Sequence, residues 1–315
     1  MSTVPLSNNV VIPGASHQII APGGAEAWHA YLEDDDGRWF LHAALWLGSP
    51  YAPEYQKRLD AYRKNPTQNT PPTPGEFPGA VLTICQVGQP AQSWVQTFPA
   101  GTFTAAQDHC AVSCGGCTIE KTGDGYHVCF RQENSAAVDL NFTNPARATA
   151  DAANKTINVA GDFYSILQPT TRFTGNIKFP NRPAESISAR GSISQTWRTT
   201  PRVKPLQWLL NGHATAGSRT ALFRLAVAKD SQAGALAIDG PDGLIWQNQP
   251  ATLTSAGVAL FKTDYPANID FGDALKLREP TLVATTSIEA IYKYDAYLDG
   301  ESAFAFVRLQ RNVSF

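Results

Sequence analysis

Charge is scarce in this 315-residue sequence, where Asp, Glu, Lys and Arg make up 17% against roughly 25% in an average domain. The 25 Lys plus Arg nearly balance 27 Asp plus Glu, for a formal net charge of −2, and no basic run exceeds two residues. A nucleic acid or polyphosphate partner would find nothing to hold it. No stretch reaches the about 18 apolar residues of a membrane span. The segment Met1 to Gly24 lacks the basic start and apolar core of a secretory signal, so the expected location is the cytoplasm. Also missing are a G-x-S-x-G elbow, a P-loop, a G-x-G-x-x-G turn after a strand and an H-E-x-x-H pair. Hydrolase, NTPase, dehydrogenase and zincin chemistries lose their usual signatures.

Cysteine is sparse and odd in number: Cys85, Cys110, Cys114, Cys117 and Cys129. His109-Cys110-x3-Cys114-x2-Cys117, with Cys129 beyond, is the one candidate metal cluster. A zinc ribbon would repeat a tight C-x-x-C pair, and only Cys114-Gly115-Gly116-Cys117 qualifies. Free thiols of a reducing compartment are the favoured reading, with structural zinc or a disulfide as the alternative. No cofactor and no metal are expected.

The chain is rich in Thr, Val, Ile and aromatic residues, with Gly and Pro about every ten residues, the rhythm of sandwiches and barrels. Trp28, Ala30 and Leu32 alternate, Asp34-Asp35-Asp36-Gly37 turns the chain, and Trp39, Leu41, Ala43, Leu45 and Leu47 alternate again. The return strand also carries Phe40, His42, Ala44 and Trp46, so both of its faces look covered. One helix is written in Pro53–Lys64, where Tyr55, Leu59 and Tyr62 share a face, Pro53 fits the first turn and Pro66 ends the pattern. The five prolines of Asn65–Pro78 predict an extended surface connector, or a lid over a barrel mouth. Further strands are expected at 80–87, 93–98, 126–131, 137–142, 173–179, 219–228, 243–247, 256–262 and 281–286. A closing hairpin pairs 288–297 with 303–309 through Asp299-Gly300. At this length two lobes are the default. The expected class is all-β: two antiparallel β-barrel or sandwich domains with one short helix, divided as 1–190 and 191–315.

Strands also carry large side chains with one polar handle each, of the kind that line apolar ligand sites. Trp28, His42, Trp46, Trp197 and Trp208 are the candidate substrate-binding residues. Gln195, Tyr292 and Tyr294 are the candidate catalytic donors. Core packing is the competing reading of each tryptophan, and a satisfied buried histidine is that of His29 and His42. The Asp34–Asp36 run is a solvated turn, because no ligands recur at calcium-loop spacing.

The run Pro22-Gly23-Gly24-Ala25-Glu26-Ala27-Trp28-His29-Ala30-Tyr31, followed by Leu45-Trp46-Leu47-Gly48-Ser49-Pro50-Tyr51-Ala52-Pro53-Glu54-Tyr55, resembles the opening of the double-lipocalin family. That family includes bacterial carotenoid 1,2-hydratases and fungal Diels–Alderases. Gly191 to Trp197 and Trp208 look like a degraded form of its second-lobe elements. The resemblance implies two lipocalin-like, calycin-type domains around a small-molecule site. Where the family places an acidic residue after its first tryptophans this chain has Tyr31, and before Trp197 it has Ser194 and Gln195. Protonating an isolated alkene needs a strong general acid. A [4+2] cyclisation needs two π-systems held at near-attack distance and a neutral donor on a carbonyl. The expectation is therefore a cofactor-independent pericyclase, an isomerase of secondary metabolism. It would hold a hydrophobic polyene or quinone-methide-like substrate in an apolar pocket between the lobes. A carrier of a hydrophobic metabolite is the alternative in another class. A hydratase or isomerase of an isoprenoid would need Glu26, Asp295 or a histidine as its acid.

Overall fold

The structure, a computed structural model, describes residues 12–123, 125–131, 136–142, 156–179, 182–202, 206–241, 243–247, 251–256, 265–285 and 289–313. Two curled antiparallel sheets divide these residues. The first is built from β1 (Ala25–Glu33), β2 (Trp39–Leu47), β3 (Gly79–Gln86), β4 (Gln92–Thr97), β5 (Phe103–Ala105), β6 (Ala111–Cys114), β7 (Cys117–Thr122), β8 (Gly125–Arg131), β9 (Ala137–Phe142), β10 (Thr156–Val159), β11 (Asp162–Lys178) and β12 (Ala184–Arg198). Its order is β4-β3-β2-β1-β12-β11-β9-β8-β7-β6-β5, with β10 paired to β11. The second comprises β13 (Leu206–Ala216), β14 (Arg219–Val227), β15 (Gln232–Gly240), β16 (Gly243–Gln247), β17 (Thr252–Ala256), β18 (Tyr265–Phe271), β19 (Leu275–Thr285), β20 (Glu289–Leu298) and β21 (Glu301–Val313). It runs β16-β15-β14-β13-β21-β20-β19-β18-β17.

The period-2 alternation of each strand sends its two side-chain sets to different cores. Trp28, Ala30 and Leu32 of β1, Leu41, Ala43 and Leu45 of β2 and Leu82 of β3 fill the first sheet's own core with Phe130, Leu140, Phe173 and Ile193. Leu210, Phe223, Phe271, Tyr292, Tyr294 and Val307 fill the second sheet's core. The opposite faces meet each other. Tyr31, Phe40 and Cys85 pack there against Ala284, Ile291 and Phe306, with the rings of Phe40 and Phe306 stacked at 5.0 Å. The double coverage expected of β2 thus arises from sheet stacked on sheet.

The helix α1 spans Pro53–Lys64, with Pro53 in its first turn. Tyr55 and Leu59 are buried while Tyr62 is half-buried. The Tyr55 hydroxyl accepts from Gly23 N at 2.9 Å and donates to Gly24 O at 2.8 Å, tying the helix to the start of β1. The proline-rich segment after it folds back onto the chain, where Pro74 O and Phe77 O accept from Gly48 N and Ser49 N. It is a connector.

The boundary expected near residue 190 falls inside β12, and the chain passes from the first sheet to the second between Arg198 and Leu206. Gly191 reads as a break in sequence but serves as a close-approach point. A Cβ there would lie 2.3 Å from Tyr31 O and 2.7 Å from the Phe173 ring, so β12 can press against β1 and β11 without interruption. Strand β15 was not expected at all. Most of the strand expected at 256–262 lies outside the described residues. The turn Asp299-Gly300 joins β20 to β21 with both residues at positive φ, the conformation that this residue pair tolerates best.

Candidate functional site between the sheets

The face of β1 and β2 opposite the first core presents His29, Tyr31, His42 and Trp46 toward the second sheet. Register fixes this: Ala27 opposes Trp46, and Tyr31 opposes His42. His29 Nδ1 lies 3.2 Å from His42 Nε2, and His29 Nε2 lies 3.1 Å from Thr196 Oγ1. Tyr31 stacks on His42 at 4.7 Å and the edge of Trp46 meets His29 at 5.2 Å. Burial, reinforced by the field of Arg308, pushes the pKa of both imidazoles well below 6.5. Both are neutral near pH 7.

From the second sheet, β14 and β21 contribute Arg224 and Arg308. Arg308 Nε donates to Glu289 Oε2 at 2.6 Å and Nη2 donates to the Tyr51 hydroxyl at 3.0 Å, which itself donates to Glu289 at 2.7 Å. Asp162, at the start of β11, sits beneath three guanidinium groups. Arg224 Nη2 reaches it at 2.5 Å, Arg198 Nη1 at 3.4 Å, and Arg202 Nη2 also donates to it. All four side chains are about 5% exposed. Burial alone would raise the Asp162 pKa. The surrounding Arg202, Arg224 and Arg198 outweigh it and hold the carboxyl at about 2. At the far end of the same interface Glu33 receives the Thr215 hydroxyl and lies 3.0 Å from His213 Nδ1.

These groups border a cleft between the sheets whose inner cavity is about 40 Å³. Its walls include His29, Trp46, Asp162, Trp197, Leu209 and Arg224. At roughly 10–15 Å³ per water centre the inner part holds about three waters. The lining sets Asp162, Arg198, Arg202, Arg224 and Arg308 beside Ala25, Trp46, Pro50, Trp197 and Leu209. The shared layer is mixed: these polar groups lie between two apolar clusters that join the sheets, one around Tyr31, Phe40 and Phe306 and one around Ile166, Leu209 and Leu222. Among the described residues, the buried donors Trp46 Nε1, Arg224 Nε and Asn211 Nδ2 of this layer have no acceptor.

The eight residues singled out from sequence fall in different places. Trp46 and Trp197 border the cleft, and His42 lies one layer behind it against His29. Trp28 is fully buried in the first core, donating Nε1 to Gly14 O at 2.9 Å. Trp208, Tyr292 and Tyr294 are in the second core, where Tyr294 donates to Pro266 O and the Tyr292 hydroxyl accepts from Arg311. Gln195 faces the inner side of the first sheet. Its Nε2 donates to Ala15 O and to Glu26 Oε1, both at 2.9 Å. There Glu26, fully buried, also accepts from Ser16 Oγ at 3.1 Å and sits 2.6 Å from His17 Nδ1. The His17 ring stacks on Trp197 at 3.9 Å.

Sequence reasoning missed Asp162, Arg198, Arg202, Arg224 and Arg308 altogether. Parity was the available signal, since Asn211, Arg224 and Arg308 alternate with the apolar residues of their strands. The five cysteines are free and buried. Gly115 and Gly116, both at positive φ, form the two-residue turn between paired Cys114 and Cys117, so this spacing is that of a hairpin. Among the described residues no group of three His, Cys, Asp or Glu side chains is placed to hold a metal, and no helix is long and apolar enough to cross a membrane.

No family model and no curated protein matches the chain. Solved structures do. A candidate AttH from Nitrosomonas europaea superposes with a TM-score of 0.66 at 11% identity, covering 99% of this chain and 100% of that one. CghA, solved with Sch210972, gives 0.61 at 12% identity, covering 96% and 94%. Kievitone hydratase from Nectria haematococca gives 0.61 at 11% identity, covering 96% and 97%. From end to end, the chain has the two-sheet, double-lipocalin fold of these structures.

Proposed function

We propose that the protein is a cofactor-independent cyclase of the pericyclase type, working on a small unsaturated substrate at the cleft between the sheets. One observation carries this reading: among the described residues the cleft offers hydrogen-bond donors but no group poised to give up a proton near neutrality. Asp162 is ionised and His29 is neutral. Addition of water across an isolated alkene needs an acid that this lining does not supply. Polarising a carbonyl needs only fixed donors such as Trp46 Nε1 and Arg224 Nε. Each such donor can contribute about 3 kcal/mol in a water-poor site, and orientation adds several more. The fold shared with kievitone hydratase and with CghA, the latter solved with a ligand, agrees with a small-molecule role.

A carrier of a hydrophobic metabolite would bind such a substrate in the same cleft and leave its rate and isomer ratio at the spontaneous values. A hydratase is the second reading. The buried Glu26, paired with His17 beside Trp197 on the first sheet's inner face, is a carboxylate–imidazole couple that could move a proton. The test is to incubate the protein with a panel of linear polyenes bearing an α,β-unsaturated carbonyl, measuring rate and isomer ratio against the spontaneous reaction. At least one polyene should cyclise faster with a changed isomer ratio, and Trp46→Phe should slow it. Water adducts that vanish in Glu26→Gln would replace the cyclase with the hydratase. Spontaneous rates and ratios throughout would refute both.

A further inference from the structure

The cluster around Asp162 is richer in cations than an ion pair requires. Three guanidinium groups share that carboxylate, and all line one cleft. Part of their donor capacity is used inside the protein. Arg198 Nε donates to Gly23 O at 3.1 Å and Arg224 Nη1 to Asn211 Oδ1 at 2.7 Å. Arg224 is 5% exposed, yet among the described residues its Nε has no acceptor, and neither has the neighbouring Asn211 Nδ2. A buried donor without an acceptor is costly, and more so when it is charged. An anion entering the cleft would meet these donors already in place. The small inner volume bounds its size to a few heavy atoms. Guanidinium favours planar oxyanions that accept two parallel hydrogen bonds. Trp46, Trp197, Pro50 and Leu209 form the less polar part of the wall and suit a hydrocarbon body attached to that head group.

We infer that the cleft binds the carboxylate of an unsaturated organic acid, with Arg224 as its principal partner and Asp162 as the internal counter-ion that holds the arginines in position. This rests on the reading of the cleft as the active site and adds the class of its substrate. The acid group anchors the ligand while its chain lies along Trp46 and Trp197. The mutual field of the cluster agrees: burial pulls the Arg202 pKa down to about 10 despite the attraction of Asp162, and lowers that of Arg198 too. A further negative charge would relieve both.

The experiment uses sorbate, a short conjugated carboxylate, and its uncharged amide as probes of the full-length protein. Binding is followed by tryptophan fluorescence and by calorimetry. Sorbate should bind saturably, and the amide at least about tenfold more weakly, since a charge-assisted hydrogen bond is about twice as strong as a neutral one. Arg224→Gln should weaken sorbate by about ten- to a hundredfold, with Arg224→Lys in between. A second measurement guards against misfolding: on the wild-type protein sorbate should raise the melting temperature and the amide should not, whereas a purely structural cluster would give no such gain. Equal binding of acid and amide, or sorbate binding indifferent to Arg224→Gln, would overturn the inference. The two readings fail separately. Sorbate binding without acceleration of any polyene acid leaves the anion site standing and removes the cyclase. Acceleration of neutral polyenes without sorbate binding does the reverse.

Discussion

Replacing Asp162 by Asn removes the carboxylate that three buried arginines share, and its cost can be worked from the structure. The folded-state pKa of Asp162 lies at about 2 against an ordinary 3.8. At 1.36 kcal/mol per unit, that drop corresponds to about 2 kcal/mol of stability at neutral pH. The variant loses this and also strands guanidinium groups in a layer where they are about 5% exposed. Breaking a buried ion pair from one side costs about 3–5 kcal/mol, so the expected loss at pH 7 lies in that range. The pH dependence has a definite sign. A depressed carboxyl pKa contributes stability that is present above about pH 4 and is lost as pH falls toward about 2. Urea unfolding at a series of pH values should show this acid loss in wild type and a correspondingly smaller one in Asp162→Asn. A variant within about 0.5 kcal/mol of wild type at pH 7, the scatter of ordinary surface substitutions, would refute the claim that Asp162 organises the cluster.

Other outcomes follow from the same geometry. Trp28→Ala should cost about 3–5 kcal/mol in urea unfolding and leave any product ratio unchanged, because Trp28 fills the first core. Trp197→Ala, at the cleft, should alter that ratio. Burial, then the field of Arg308, holds His29 and His42 well below 6.5. The unfolded chain therefore takes up protons below that pH that the native state refuses, and stability present above pH 6.5 should fall on acidification. His29→Gln with His42→Gln should flatten that slope between pH 6.5 and about 5. All five thiols are buried, and burial pushes Cys114 and Cys117 up to about 11 and Cys85 and Cys110 up to about 12. A colorimetric thiol reagent should thus label the native protein negligibly and all five cysteines after unfolding.

Local pattern carried the fold a long way. The Trp28 to Leu47 hairpin, the helix at Pro53–Lys64 and the Asp299-Gly300 turn are short-range structures, set by alternation, a first-turn proline and a turn pair. The site was less legible because it is made where two sheets meet. His29 could be assigned by alternation to the face opposite Trp28, and Trp46 to the same face through its pairing with Ala27, but which face met another sheet was a long-range fact. Grouping Trp28, Trp208, Tyr292 and Tyr294 with Trp46 ignored that parity, and the structure places them in the two separate cores. The Asp162 cluster joins residues up to 62 apart in sequence from two sheets, with no spacing motif between them. Its members looked like ordinary strand polar residues until the second sheet covered them.

A crystal structure of the protein with a cyclised polyene acid tests the central claim most directly. The account predicts the ligand in the cleft between the sheets, with an oxygen within hydrogen-bonding distance of Arg224 and its ring against Trp46. A ligand seated instead against His17 and Glu26, on the inner face of the first sheet, would contradict it.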